Sequence, residues 1–258
     1  MRSFAGICGL IFICFLSRSV QNPGASQGTD CSEIQRRSPQ AKSGIYTIQP
    51  AGLKKPVKVH CEMYPDGGWT VFQYRSGSSV PFNRTWCDYK NGFGAPPQDY
   101  WLGLMAVHLM TNNNNRKWTL RVDLRDHEGG MAYAEYRNFR LDNEKNAFKL
   151  HVGAYQGTAG NAIRGSYAGI DQNGFGFSTV GHDNDGCDPC IFGDIAVNEC
   201  VFSEGGGWWF SRCGSANLNG EWHPTGDHIG WASGLHWRTW KGPAPYSAKS
   251  TRMMIKSE

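Results

Sequence analysis

Hydrophobic and polar positions alternate cleanly only in the first part of the chain. Trp118, Leu120, Val122 and Leu124 are apolar, with Thr119, Arg121 and Asp123 between them. That period of two predicts a strand with one buried face. Segments 57–63 and 69–75 read as two more strands, joined by the turn residues Pro65-Asp66-Gly67-Gly68. Tyr133, Glu135, Arg137 and Phe139 begin a further strand, and Phe148, Leu150 and Val152 another. Trp101, Leu104, Met105 and His108 recur at i, i+3, i+4 and i+7, which predicts a helix opened by Pro96-Pro97. His108 on that stripe reads as a histidine at the edge of the core. Asp30 or Ser32 is placed to cap a short helix over 33–37, and 112–115 is a polar turn. From Gly153 to Lys241 the chain becomes rich in Gly, Asn, Asp and Trp and loses its period. Long irregular segments inside a compact domain commonly carry function. The functional residues are expected there.

The N-terminus has a different pattern. Arg2 is followed by an almost wholly apolar run over 4–16, with small residues at Ser17, Ser19 and Ala25. This is the pattern of a secretory signal peptide. The run is too short for a membrane span, which takes about 20 apolar residues. Residues 1–22 are therefore expected to be a signal peptide, 23–29 a short flexible tail, and 30–258 a single domain.

Composition narrows the class. Glycine, at 33 of 258 residues, is about twice its ordinary share. Aromatic residues make up 13% of the chain, which excludes a disordered polymer, and no G-X-Y period makes it collagen. Removing Arg2 and Arg18 with the signal lowers the formal charge from +4 to +2. With no basic run, nothing points to nucleic acid. Seven cysteines remain: Cys31, Cys61, Cys87, Cys187, Cys190, Cys200 and Cys213. In an oxidising compartment they are read first as disulfides, with one left over. The competing reading of Cys187-x-x-Cys190 is half a zinc site, but no second such pair completes four ligands. Asn83-Arg84-Thr85 is the sole glycosylation sequon.

One loop carries metal chemistry. Gly181-His182-Asp183-Asn184-Asp185-Gly186 sets two carboxylates two residues apart between glycines. Ca²⁺ takes 6–8 hard oxygen ligands, which such a turn can supply from side chains and carbonyls; an ordinary solvated Asp turn has the same spacing. The stretch is similar to the first half of an EF-hand loop, with Asp194 at the twelfth position. Asp188 stands where that motif needs glycine, and no helical pattern flanks it. Catalytic signatures are missing: there is no G-x-S-x-G elbow, no H-E-x-x-H and no phosphate loop after Gly205-Gly206-Gly207. The chain is read as a non-enzyme. Most tryptophans of the C-terminal third are assigned to the core, with Trp222 and Trp231 set aside as candidates for lining a site.

The segments Asp30-Cys31, Ser43-Gly44-Ile45-Tyr46, Val59-His60-Cys61-Glu62-Met63 and Gly67-Gly68-Trp69-Thr70-Val71 occur in collinear order with Tyr89-Lys90-Asn91-Gly92-Phe93-Gly94. Further on come Tyr100-Trp101-Leu102-Gly103, Asp183-Asn184-Asp185, Gly207-Trp208-Trp209-Phe210, the run from Cys213 through Asn219-Gly220, and Met253-Met254-Ile255-Lys256. Together they resemble the fibrinogen C-terminal domain family over 30–257, and within it the angiopoietin-related and fibrinogen-like-protein-1-like secreted branch. The resemblance implies an α+β fold: a mixed, mostly antiparallel sheet, short helices and a large loop-rich C-terminal subdomain. It implies disulfides Cys31–Cys61 and Cys200–Cys213, and Cys187–Cys190 looks like an extra pair in the calcium loop. Cys87 is then the odd thiol, either buried or bridging to another chain.

The same resemblance implies calcium held by the carboxylates of Asp183 and Asp185 and the carbonyl of Cys187. Beside it lies a ligand pocket at Arg212, Cys213, Gly214, Trp222 and 231–233, with a non-proline cis peptide at Arg212-Cys213. Ficolins and fibrin-polymerising chains carry histidine where this chain has Gly214. The fibrin-type pocket has an aspartate where this chain has Ala232. The implied function is a secreted, calcium-binding extracellular ligand for a cell-surface protein receptor. The rival is calcium-dependent binding of acetylated glycans in innate defence, and a clotting or matrix role comes third. No membrane insertion is expected, and the state expected is a monomer or small homo-oligomer.

Overall fold

The computed structural model describes residues 28–112, 115–166, 169–226, 234–242 and 246–258. The predicted signal peptide lies outside these residues. Of the predicted tail, Gly28 bridges to Ile48, and the Thr29 amide donates to Glu33 Oε2 at 2.7 Å.

Helix α1 (Cys31–Arg37) leads into β1 (Gly44–Ile48), β2 (Val57–Tyr64) and β3 (Gly67–Arg75). Then come α2 (Trp86–Asn91), β4 (Phe93–Gly94), β5 (Tyr100–Trp101) and α3 (Leu104–Thr111). Strands β6 (Trp118–Arg125) and β7 (Met131–Tyr136) are followed by the short β8 (Arg140–Leu141), β9 (Leu150–His151) and β10 (Tyr155–Gly157). The remainder holds a hairpin, β11 (Cys190–Phe192) and β12 (Ile195–Val197), then α4 (Cys200–Glu204), β13 (Ala216–Asn217), β14 (His236–Trp237) and β15 (Ser250–Ser257). The main sheet runs β1-β2-β3-β15-β6-β7-β10, with β5 on β3 and β4 on β5, all neighbours antiparallel. This is the α+β architecture expected. No helix among the described residues is long and apolar enough to cross a membrane.

Three predicted elements differ. The strand expected from Tyr133 through Phe139 ends at Tyr136, ahead of Asn138 at φ +54. Trp101 belongs to β5, paired with Phe93 and Gln73, and the helix starts only at Leu104, after Gly103 at φ +110. The strand expected through Phe148, Leu150 and Val152 shrinks to Leu150–His151, because Ala147 and Phe148 turn through left-handed φ of 51 and 46. His108 sits at the core edge as expected, its Nδ1 2.9 Å from the Leu141 carbonyl.

Strand β15 is the seam of the molecule. It pairs with β3 on one side and β6 on the other. From it Arg252 reaches Glu62 on β2, Tyr64 Oη at 3.1 Å and Asp123 Oδ2 on β6 at 2.7 Å. Beneath the sheet, wholly buried Gln73 donates from Nε2 to the Leu218 carbonyl at 2.8 Å and to Asn219 Oδ1 at 3.2 Å. Arg75 Nη1 donates to the Gly220 carbonyl at 2.9 Å. These buried bonds tie the irregular C-terminal third to the sheet. A cluster of Tyr89, Trp101, Phe177 and Trp209, with ring centroids 5.0–6.1 Å apart, closes the same interface with apolar area.

Three disulfides link Cys31 to Cys61, Cys187 to Cys190 and Cys200 to Cys213, the pairings the resemblance implied. Each of the two longer loops contributes about 3–4 kcal/mol in the chain-entropy picture. Cys87 is free and exposed on α2, so the buried reading of the odd thiol is wrong. Its neighbours explain this: the apolar side of α2 is taken by Tyr89, and residue 87 falls on the solvent side.

Asp30 anchors the N-terminal end. It caps α1 by accepting from the Glu33 amide at 2.9 Å and pairs with Arg116 at 2.6 and 3.1 Å. Arg116 in turn donates to Ser257 at the end of β15. Burial pushes the Asp30 carboxyl up, but the Arg116 hydrogen bond and charge, with the Glu33 amide and the Thr29 hydroxyl, hold it below the ordinary 3.8. Asp30→Ala leaves Arg116 without its carboxylate and is expected to lower unfolding free energy by about 3–5 kcal/mol at pH 7 in urea titrations. A carboxyl lowered in the fold stabilises above its unfolded value and loses that contribution as pH falls through the folded one. The gap between wild type and variant should therefore close as pH drops below 3.8.

Candidate functional site

The acidic loop is built from both ends. Ser178 pairs with Trp208 in a β-bridge, and Thr179 with His182, which folds the chain back on itself. The His182 ring stacks on Trp86 of α2, centroids 3.9 Å apart at 23°. Trp86 Nε1 donates to Glu144, which also pairs with Lys90 at 2.7 Å. Asn184 donates from its amide to Ser178 Oγ and from Nδ2 to the Phe177 carbonyl. The loop therefore stands on the core rather than hanging in solvent.

Within it the two aspartates do different work. Asp183 is exposed and accepts from the Asp185 amide at 3.0 Å. Asp185 is half-buried and accepts from the amides of Cys187 and Cys200, each at 2.7 Å, one on each oxygen. Glu199 makes no side-chain cap for α4, so Asp185 caps that helix from across the loop. Burial raises the Asp185 carboxyl above the ordinary value, against the pull of those amides, and neighbouring Asp183 raises it further. Two converging carboxylates, one partly desolvated, form an environment that a hard cation relieves. Asp194 sits in the turn of the β11–β12 hairpin, so the stretch is no EF-hand loop.

The predicted pocket floor adjoins this loop through sulfur. Cys187 Sγ lies 3.5 Å from Cys200 Sγ and 4.0 Å from Cys213 Sγ. With all of these sulfurs in disulfides, the half-zinc-site reading of Cys187 and Cys190 has no thiolate to offer. The Gly186 amide donates to the Ser211 carbonyl at 2.6 Å, so Asp185 and Arg212 lie on adjoining stretches. The Arg212-Cys213 peptide is not cis as expected; among the described residues only Pro96-Pro97 is. The bend comes instead from consecutive left-handed residues, Cys213 at φ +58 and Gly214 at φ +90.

Gly214 is fitted to a residue the sequence reading missed. A Cβ there would stand 2.1 Å from Gln172 Nε2, which donates to the Ala216 carbonyl at 2.9 Å. Gln172 is wholly buried, and its Oε1 has no partner. It fills the space a side chain at 214 would take. No periodic signal marks Gln172; only its place in the irregular segment pointed that way. Arg212 is exposed and crosses Gly169. Trp222 is half-buried, its Nε1 bonded to the Lys249 carbonyl at 2.9 Å. Trp231 and Ala232 lie outside the described residues. Trp208, Trp209 and Trp237 are core, as read. Asn83 is exposed just ahead of α2.

The β11–β12 hairpin follows the loop and is joined to it by the Cys187–Cys190 disulfide. Ile191 and Phe192 on β11 and Ile195 on β12 are exposed, Ile195 by 62%, and nearby Phe202 on α4 by 69%. From Gly181 to Ser211 the chain carries six acidic residues and no lysine or arginine. Four large apolar side chains exposed on β11, β12 and α4 are unusual for a surface left in water.

Comparison with known proteins assigns this fold. The family of the C-terminal globular domain of fibrinogen beta and gamma chains matches residues 27–258, and the chain belongs to it. Angiopoietin-4 of Bos taurus is 41% identical over 228 residues, 88% of this chain and 42% of that protein. Fibrinogen-like protein 1 of Bos taurus is 40% identical over 241 residues, 90% of this chain and 73% of that protein. The chain thus spans less than half the length of the angiopoietin relatives. Among solved structures, the fibrinogen-like globe domain of human ANGPTL6 superposes with a TM-score of 0.76 at 35% identity, covering 88% of this chain and 94% of that one. Lamprey fibrin D-dimer, complexed with the peptide Gly-His-Arg-Pro-amide, superposes at 0.79 and 34%, covering 93% and 78%.

Gly214→Ala tests the packed floor. It places a side chain at positive φ and against Gln172, and should lower stability by about 1–3 kcal/mol in thermal or urea unfolding. Adding Gln172→Ala should return part of the loss by opening that space. A Gly214→Ala protein as stable as wild type would show that Gln172 does not hold this position.

Proposed function

We propose that the protein is a secreted, calcium-binding recognition protein that acts as an extracellular ligand for a protein receptor through its 178–214 face. The observation that carries this reading is the joining of two features. Converging Asp183 and Asp185 carboxylates stand on a disulfide-braced loop, and directly beside them exposed apolar residues stand on a hairpin. In this reading the carboxylates of Asp183 and Asp185 and the carbonyl of Cys187 would hold calcium, and the burial that raises Asp185 supports a cation there. Bound there, it would neutralise the loop and fix the hairpin's base. The angiopoietin relatives support a ligand role, and three disulfides suit an oxidising extracellular setting. Gln172 under Gly214 leaves less room for an acetyl group at the pocket floor.

Calcium is tested by thermal unfolding in millimolar Ca²⁺ and in chelator. Saturation a hundredfold over Kd adds about 2.7 kcal/mol. Asp183→Ala should abolish the shift; Asp185→Ala is the poorer test, because it also uncaps α4. An unchanged melting temperature with and without Ca²⁺ would remove the metal from the proposal. For the partner, labelled protein is added to intact cells and, in parallel, to a glycan array. Binding that is lost after surface trypsin and after Ile191→Ser with Phe192→Ser supports the receptor reading. Robust calcium-dependent binding to acetylated sugars would overturn it.

A further inference from the structure

The four cysteines beneath the acidic loop form one contact group. Cys187 Sγ touches both sulfurs of the neighbouring disulfide, at 3.5 Å from Cys200 and 4.0 Å from Cys213. The three disulfides are not equivalent. Cys187–Cys190 spans a sequence separation of 3, against 13 and 30 for the others, so it restrains the unfolded chain least. Cys187 is also the most exposed disulfide cysteine, at 8%. Its Cys-x-x-Cys spacing is that of dithiol exchange sites.

What this bond holds is the functional loop. Cys190 opens β11, so the disulfide forms one foot of the hairpin, and Cys200, at the start of α4, forms the other. The two amides that fix Asp185 belong to Cys187 and Cys200. Any change in the pairing of these two residues moves Asp185.

We propose that Cys187–Cys190 is a redox modification site, opened by a dithiol reductant of the thioredoxin class, and that the released Cys187 sulfur then transfers to Cys200. In the first step two electrons from the reductant break the Cys187–Cys190 bond, giving two protein thiols while the reductant becomes a disulfide. In the second, Cys187 gives up its proton and its sulfur attacks Cys200 Sγ. The Cys187–Cys200 bond forms, the Cys200–Cys213 bond breaks, and Cys213 leaves with the electron pair and takes up a proton. The second step consumes no electrons. Attack runs along the axis of the bond being broken, so the step requires Cys187, once released from Cys190, to rotate from beside the Cys200–Cys213 bond into that line. The product joins the two residues whose amides hold Asp185 and frees Cys190 at the hairpin foot and Cys213 at the pocket floor.

The test is covalent and independent of calcium or receptor binding. Mature protein carrying Cys87→Ser, which removes the exposed thiol, is treated without denaturant with graded dithiothreitol and, separately, with reduced thioredoxin. It is then alkylated with N-ethylmaleimide and mapped by mass spectrometry of the unreduced digest. At doses that leave the circular dichroism unchanged, the expected species carries a Cys187–Cys200 link, alkylated Cys190 and Cys213, and an intact Cys31–Cys61 bond. Opening of Cys31–Cys61 at the same dose overturns the proposal. So does alkylation of Cys187 and Cys190 together with Cys200–Cys213 intact, or no reduction before unfolding. Adding Cys190→Ser gives a measurement without reductant. Folded protein should contain both Cys187–Cys200 and Cys200–Cys213 forms, and the exclusive presence of Cys200–Cys213 with an alkylatable Cys187 overturns the transfer step.

Discussion

Strand β15 lies between β3 and β6, and most of the molecule follows from that placement. Everything from β10 to β15, including the acidic loop, the hairpin and the pocket floor, begins and ends on one sheet. A segment of that length with few ladders of its own could not hold a shape by local preference. Here it is closed at both ends, pinned midway by Gln73 and Arg75 to 218–220, and packed through Phe177 and Trp209 on Tyr89 and Trp101. Glycine at positions such as 214 then allows backbone turns that a side chain would block, within a frame rigid enough to keep them.

Within that frame a single carboxylate links three parts. Asp185 belongs to the acidic loop, caps α4 and accepts from a residue of each adjoining disulfide. Its burial costs charge stability, which two amides offset in part and a cation would offset further. The metal proposed for this site, the orientation of the hairpin and the state of the sulfurs are therefore aspects of one local equilibrium.

The sheet was legible wherever one face meets core and the other meets water, as in β6, where the period of two is regular. β15 was not, although its 253–256 motif stood out. It is central, and its burial pattern puts Met253, Met254 and Ile255 all inside across a register shift, so alternation fails. At the site, the Asp183 and Asp185 pair was visible from spacing between glycines. The role of Asp185 as a cap was not, because its partner amide at Cys200 is 15 residues away through irregular chain. Gln172 was hidden for the same reason, and the exposure of Cys87 was not legible because a six-residue helix offers too few positions to tell inside from outside.

The position of β15 also sets an order on biosynthesis. Every other strand of the sheet leaves the ribosome before residues 250–257 do. Until then β1–β5 on one side and β6, β7 and β10 on the other are two separate half-sheets, each with an unpaired edge where β15 belongs, and such edges are what nascent chains aggregate through. Cys31–Cys61 closes inside the first half and needs nothing later. The other two bonds lie in a segment that has no fixed frame until β15 enters, so their correct pairing waits on that strand and on whatever shields those edges in the meantime.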